Sequence, residues 1–174
     1  MNTQITAVIV GDAALPFETY YKSAKDIFVS NGHFHELTST TCKGLIWPKN
    51  HGVYVVWQIK PTVEVLYIGM TGKFSQAGIM SGPGLNARTV RWTPYCFDMT
   101  ANTFCFGPNP VNGQNSLKQQ QKAGYRHRVS VSDIRIECFE YFTTHRMAPA
   151  FLEALLLQGY LMQHGKLPLA NNEL

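Results

Sequence analysis

The clearest pattern of apolar residues consists of two short runs separated by a polar turn. The runs Val55–Trp57 and Val63–Val65 contain β-branched and aromatic side chains, which favour extended strands. Pro61 lies between them, where a turn accepts a residue that a central strand excludes. The pattern predicts an antiparallel hairpin with one tyrosine beside a glycine on each strand, Tyr54 and Tyr67.

Further periodic segments predict the elements around this hairpin. Residues 1–12 and 129–142 alternate as strands do, and 129–142 is expected to pair with the hairpin. Residues 16–29 and 147–165 repeat apolar positions at helical spacing, each with a proline suited to the first turn. Residues 85–92 predict a short helix that ends before Pro94. We therefore expect an α+β fold with a small, three-stranded, antiparallel central sheet flanked by helices.

Two segments do not belong to this predicted core. Residues 1–50 precede the hairpin and form an N-terminal elaboration, whereas residues 97–130 are rich in glycine, proline and amides. Those residue types predict an irregular inserted loop. A chain of 174 residues fits one domain, so we assign residues 1–174 to a single domain that contains both additions.

Charge is concentrated in the middle of the chain. Residues 65–132 hold seven lysines and arginines against Asp98 alone, which gives this third of the chain a net charge of +6. The whole chain carries only +4. A basic band suits a polyanion such as DNA, because neutralised phosphates release counterions. A solvated basic face without a ligand is the alternative.

The cysteines and the hydropathy pattern indicate the compartment. The four cysteines are widely spaced and form no Cys-x-x-Cys pair, so a zinc ribbon is not expected. No apolar run approaches the roughly 20 residues of a membrane helix, and the N-terminal segment lacks the basic region of a signal peptide. We expect reduced thiols, a cytoplasmic location and no association with a membrane.

The tyrosines and glycines of the hairpin carry a family resemblance. Gly52-Val53-Tyr54 and Tyr67-Ile68-Gly69 resemble the signature of the GIY-YIG nuclease superfamily, with valine in place of the first isoleucine. The arginine segment 85–92, the predicted strand near 133–142 and the helix with Glu153 follow in that superfamily's order. Pro168-Leu169-Ala170-Asn171 is similar to its closing Pro-x-x-Asn.

The resemblance implies hydrolysis of a DNA phosphodiester with one divalent metal ion, Mg²⁺ or Mn²⁺, leaving 5′-phosphate and 3′-hydroxyl ends. Glu153 would be the metal ligand, and Asn171 would support the active site. Arg88 would contact the scissile phosphate. Arg91 competes with it for that role, because Arg91 has Tyr95 four residues on, although Pro94 intervenes.

The same resemblance assigns roles to the phenols and to their neighbours. Tyr54 would accept the proton of the attacking water, with its pKa lowered by nearby cations, and Tyr67 would orient the water or phosphate. Lys73 follows the second signature strand and is either a phosphate contact or an ordinary surface lysine. His51 precedes the first signature strand, where it either assists proton transfer or is solvent-exposed.

The inserted segment is the candidate for DNA recognition, because amide and basic side chains can bind base edges. The candidate DNA-binding residues are Arg91, Asn115, Lys118, Gln119, Lys122, Arg126 and Arg128. A compact chain of this type resembles the type II restriction endonucleases of the superfamily, which implies a homodimer on duplex DNA and a separately encoded DNA methyltransferase. The alternatives are a structure-specific or nicking nuclease of a phage or mobile element, and a non-catalytic DNA-binding module.

Overall fold

The computed structural model describes residues 15–89, 95–108, 125–141 and 148–171. The strand predicted over residues 1–12 lies outside these ranges. No helix in the described part of the chain is long and apolar enough to span a membrane.

The described residues form two α-helices, nine β-strands and three 3₁₀ turns. The helices are α1 (Phe17–Ser30) and α2 (Pro149–His164). The strands are β1 (Phe34–Leu37), β2 (His51–Gln58), β3 (Glu64–Thr71), β4 (Lys73–Phe74), β5 (Met80–Ser81), β6 (Tyr95–Asp98), β7 (Thr103–Pro108), β8 (Tyr125–Ser130) and β9 (Ile134–Tyr141). The 3₁₀ turns span Cys42–Gly44, Leu85–Thr89 and Val131–Asp133.

The central sheet contains the predicted hairpin and the predicted third strand. β2 pairs with β3 on one side and with β9 on the other, and all these pairings are antiparallel. The sheet has four strands in the order β1-β9-β2-β3, so the expected count of three was too low. β1 was missed because it is only four residues long, Phe-His-Glu-Leu, and shows no strong alternation.

Both faces of this sheet are buried, which explains the continuous apolar runs of β2 and β3. Val53, Val55 and Ile68 pack under α1 and α2. Tyr54 and Val56 pack on the opposite face. This separation follows from the alternation of side chains along a strand and places the two signature tyrosines away from the helical layer.

The α-helices agree with the predicted boundaries. α2 begins at Pro149 and ends at His164, and the C-cap Gly165 has a φ of 68°, the left-handed conformation that glycine adopts easily. Gly159 lies within α2 against Tyr20 and Phe17, and a Cβ there would stand 2.8 Å from the Tyr20 ring and 3.1 Å from the Phe17 backbone. The missing side chain lets the two helices pack closely on the sheet.

Residues 97–130 are not simply an irregular loop. β6, β7 and β8 form a three-stranded antiparallel sheet in that order, and β7 and β8 lie within the predicted insertion. Phe97, Phe104 and Phe106 face the central sheet and are buried with Tyr54. The prediction was wrong here because the aromatic alternation is confined to very short strands beside Gly107-Pro108.

One carboxylate lies buried beneath the helical layer. Glu137 on β9 is completely buried and accepts hydrogen bonds from the Tyr21 hydroxyl, from Trp57 Nε1 at 2.6 Å and from Lys25 Nζ at 3.0 Å. These three donors stabilise the carboxylate, although burial still raises its pKa to about 7. Glu137 therefore ties α1 to two strands of the central sheet.

Replacing Glu137 should destabilise the fold. Glu137→Ala leaves a buried indole N–H and a phenol without their acceptor, so we expect the free energy of unfolding to fall by about 2–4 kcal/mol. Urea unfolding measures it. Glu36, the exposed cross-strand partner of Glu137 on β1, provides the matched control. Equal small changes in Glu137→Ala and Glu36→Ala would contradict a structural role for this network.

Candidate active site

The candidate site lies along the outer edge of β3. β3 is the last strand of the central sheet, so the peptide groups of alternate residues point away from β2 and need other partners. The Leu66 carbonyl accepts from the Ala170 N–H over 2.8 Å. The Asn171 side chain accepts from the Ile68 N–H at 2.9 Å and donates to the Ile68 carbonyl at 2.8 Å. Asn171 thus completes the edge as a neighbouring strand would.

Two charged side chains cover the next outward-facing peptide group, that of Met70. Arg88 Nη2 donates to the Met70 carbonyl over 3.0 Å, and the Met70 N–H donates to the Glu153 carboxylate. Arg88 comes from the 3₁₀ turn Leu85–Thr89, whereas Glu153 comes from the second turn of α2. Arg88 and Glu153, which are 65 positions apart in sequence, therefore both contact one residue of the edge strand.

The electrostatics of this pair favour an additional ligand. Burial raises the pKa of Glu153 to about 7, and the Arg88 charge and the Met70 N–H only partly oppose this increase. Within the described ranges the two side chains form no salt bridge with each other, and the buried Arg88 Nε has no hydrogen-bond acceptor. The carboxylate forms no salt bridge and could therefore bind a cation. The guanidinium has an unused donor and could bind an anionic oxygen.

Three phenols form a hydrogen-bonded group beside these charges. The Tyr95 hydroxyl donates to the Tyr54 hydroxyl over 2.9 Å, and Tyr54 is hydrogen-bonded to Tyr67. Tyr54 and Tyr95 are 1% and 0% exposed, whereas Tyr67 is 9% exposed. Tyr67 is therefore the member of the group that lies nearest to solvent.

Gly69 makes room for this group. A Cβ at Gly69 would overlap the Tyr67 ring and lie 2.9 Å from the Tyr54 hydroxyl. The glycine of the second signature segment is thus required by the two phenols. Gly52 is equally constrained, because a Cβ there would collide with the Phe139 carbonyl of β9.

The sequence predicted a lowered pKa for Tyr54, but the protein groups around the phenols raise it. Burial, followed by the neighbouring Tyr95 and Tyr67, raises the pKa of Tyr54 well above that of a free phenol. Burial and then the negative charge of Glu153 raise the pKa of Tyr67, against the opposing hydrogen bond from Tyr54 and the charge of Arg88. The sequence showed nearby cations, but it did not show how completely the fold removes these hydroxyls from water.

His51 and Lys73 do not join this cluster. His51 lies on the opposite face of β2 from Tyr54, and its Nδ1 is 3.1 Å from the Pro83 carbonyl. Lys73 lies exposed on β4, two residues after the edge strand. Tyr95, which the sequence suggested only as a companion of Arg91, instead belongs to the phenol group. The alternation Tyr95-Cys96-Phe97 could have identified it as a buried strand residue.

The candidate DNA-binding residues are only partly described. Arg128 is exposed on β8 and donates to Asp98 Oδ2 at 3.2 Å, and Arg126 belongs to the same strand. The remaining candidates, Arg91, Asn115, Lys118, Gln119 and Lys122, lie outside the described residues.

The residues present fit a hard divalent cation that retains most of its water. Among the described residues, no three His, Cys, Asp or Glu side chains are grouped so that they could hold a metal ion. Mg²⁺ commonly binds through one or two carboxylates together with water and substrate phosphate. Glu153 supplies such a carboxylate, and burial raises its pKa to about 7.

Comparison with family models, with curated proteins and with solved structures found no match to this chain.

Proposed function

We propose that this protein is a metal-dependent endodeoxyribonuclease with an active site of the GIY-YIG type. The observation that carries the proposal is that Arg88 and Glu153 both bind the backbone of Met70. They lie beside Tyr67, the least buried member of the phenol group. Phosphodiester hydrolysis requires three groups in one place: a carboxylate that binds a cation, a guanidinium that binds an anion, and a hydroxyl that donates a hydrogen bond.

The residues of the site would divide the chemistry among them. Glu153 would hold Mg²⁺ or Mn²⁺, and the ion would supply Lewis-acid stabilisation of charge on the phosphate and on the leaving oxygen. Arg88 would donate to the non-bridging phosphate oxygens through the side of the guanidinium that Met70 leaves unused. Asn171 positions the strand by fixing both peptide groups of Ile68.

The phenols are assigned roles as neutral hydrogen-bonding groups. A hydroxyl with a raised pKa keeps its proton at neutral pH, so Tyr67 would donate to the phosphate or hold the attacking water. Tyr54 and Tyr95 would orient Tyr67 from the interior. This reverses the order expected from the sequence, in which Tyr54 was placed next to the water.

Single hydroxyl deletions test this order. Tyr67→Phe should lower kcat by about 10²-fold, because it removes a donor from the reacting phosphate. Tyr95→Phe removes a completely buried hydroxyl that is hydrogen-bonded to Tyr54, and should cause a smaller loss. Single-turnover cleavage measures both. A larger effect of Tyr95→Phe than of Tyr67→Phe, in proteins with equal thermal stability, would refute the assignment.

The raised pKa of Glu153 predicts a pH dependence of cleavage. The carboxyl is protonated below about 7 and cannot then hold a cation, so cleavage at limiting Mg²⁺ should increase as pH rises through about 7. The charged and titratable groups facing it are Arg88 and Tyr67, and the Tyr67 phenol stays neutral across this range.

Raising the Mg²⁺ concentration should move this midpoint of cleavage to lower pH, because the cation competes with the proton. A midpoint of cleavage that does not move with Mg²⁺ would exclude Glu153 as the group responsible.

The same pKa also affects the stability of the fold without metal. The stability conferred by the neutral carboxyl of Glu153 is present below the unfolded pKa of about 4.3 and is lost as pH rises through about 7.

We further propose that the enzyme is a type II restriction endonuclease. The basic residues 65–132 and the sheet that carries Arg126 and Arg128 support duplex binding, and a two-fold site would call for a homodimer with a separate methyltransferase to protect host DNA. Digestion of supercoiled plasmid with Mg²⁺ tests this. Discrete, reproducible bands support site-specific cleavage, nicking or smearing would indicate the other nuclease class, and tight binding without cleavage would refute catalysis.

A further inference from the structure

Two cysteines face each other on the second sheet, on the face opposite to Tyr95 and the other phenols. Cys96 on β6 is the direct cross-strand partner of Cys105 on β7, and Cys105 is in turn opposite Arg128 on β8. Directly opposed residues of an antiparallel pair have Cα atoms about 4.5–5.5 Å apart, which lies within the range that a disulfide accepts. The two thiols already contact each other through a hydrogen bond.

The surroundings of this pair favour a thiolate at Cys105. The hydrogen bond from Cys96, with further contributions from Thr103 and the charge of Arg128, lowers the pKa of Cys105 to about 6 against the opposing effects of burial and Asp98. Thr103 Oγ1 lies 3.4 Å from Cys105 Sγ, and Arg128 donates to Asp98 at 3.2 Å beside it. A thiolate next to a guanidinium is the arrangement of a reactive cysteine.

The pair also combines a protected and an accessible sulfur. Cys105 is 1% exposed, whereas Cys96 is half-buried. The other two thiols differ in their surroundings: burial raises the pKa of both Cys42 and Cys138. Cys96 can therefore react with a small reagent from solvent, and the buried Cys105 can then attack the sulfur of Cys96.

We propose that Cys96 and Cys105 are a redox-active dithiol that is converted reversibly to an intramolecular disulfide by a small-molecule disulfide such as oxidised glutathione. This site is separate from the proposed nuclease centre, and its existence does not depend on the nuclease function.

The reaction proceeds by two thiol–disulfide exchanges. The Cys96 thiol passes its proton to the hydrogen-bonded Cys105 thiolate, attacks one sulfur of oxidised glutathione, forms a mixed disulfide and releases one glutathione thiolate. Cys105 then loses this proton to water, attacks Cys96 Sγ, forms the Cys96–Cys105 bond and releases the second glutathione thiolate. Two protein thiols are oxidised and one glutathione disulfide is reduced to two thiols, so electrons and atoms balance.

Equilibration of the full chain in glutathione redox buffers tests the proposal. After acid quenching and alkylation, peptide mass spectrometry of the wild type should show a Cys96–Cys105 cross-link that disappears on return to reduced glutathione. Cys105→Ser should retain glutathione on Cys96, because the second step is lost. Cys138→Ser, which removes a completely buried thiol, should form the cross-link like the wild type.

Two results would overturn the proposal. One is a native wild-type protein, verified by circular dichroism, whose Cys96 and Cys105 both remain reduced when the buffer is almost entirely oxidised glutathione. The other is a cross-link that joins Cys105 to Cys42, whose thiol also lies near this sheet and has Sγ 3.7 Å from the Asp98 carbonyl. Slower cross-linking of Arg128→Gln near pH 7, with equal rates at pH 9, would further support the role of the guanidinium.

Discussion

Glu153→Gln is expected to abolish metal-dependent DNA cleavage, with a loss of at least about 10³-fold in single-turnover rate. The glutamine keeps the shape of the side chain and an acceptor for the Met70 N–H, but it cannot supply the negative charge that holds a divalent cation. Since the charged form of Glu153 is disfavoured by burial, its replacement should leave the fold intact or slightly more stable. Binding of duplex DNA should be retained.

Glu18→Gln is the matched control for this prediction. Glu18 is also borne by a helix, but it is exposed and contacts only Gln163 in the described part of the chain. This variant should cleave DNA like the wild type. Cleavage by Glu153→Gln at the rate of Glu18→Gln would show that Glu153 is not the metal ligand.

Arg88→Lys is expected to reduce cleavage by about 10²–10³-fold, which is the usual cost of losing one oriented donor to developing negative charge. Lysine keeps the positive charge but lacks the planar fork, so it cannot present donors to the Met70 carbonyl and to a phosphate oxygen in the geometry of the guanidinium. The loss should appear in kcat rather than in the affinity for DNA, because the charge itself is preserved.

Arg128→Lys provides the comparison for this substitution. Arg128 is exposed on β8 and its only hydrogen bond in the described residues is to Asp98, so a lysine there can keep the same general attraction to phosphate. We expect nearly wild-type cleavage. If Arg88→Lys behaves like Arg128→Lys, the guanidinium of Arg88 does not contact the reacting phosphate.

The hairpin, the helix with Glu153 and the strand Ile134–Tyr141 could be predicted because each is set by local periodicity. Alternation places Val53 and Val55 on one face and Tyr54 on the other, and Pro149 and Gly165 mark the ends of α2. These signals depend on neighbours in sequence. They therefore remain visible without knowledge of the fold.

The contacts along the outer edge of β3 could not be predicted, because the residues that make them are distant in sequence. Nothing near Met70 indicates that Arg88 and Glu153 cover its peptide group, or that Asn171 pairs with Ile68. The pKa values of the phenols depend on burial by β6 and β7, which were expected to be loop. Candidate site residues could thus be selected from the sequence. Which tyrosine lies nearest to solvent, and how burial shifts the pKa values of the tyrosines, could not be predicted.

Hydrolysis of duplex DNA with a divalent ion is the most direct test of the proposed active site. Duplex DNA of random sequence should be incubated with the purified protein and Mg²⁺ or Mn²⁺, and the new ends should be sequenced. We predict ends with 5′-phosphate and 3′-hydroxyl groups that share one short sequence and are absent in EDTA. Intact DNA with both ions, or equal cleavage in EDTA, would contradict the proposed active site.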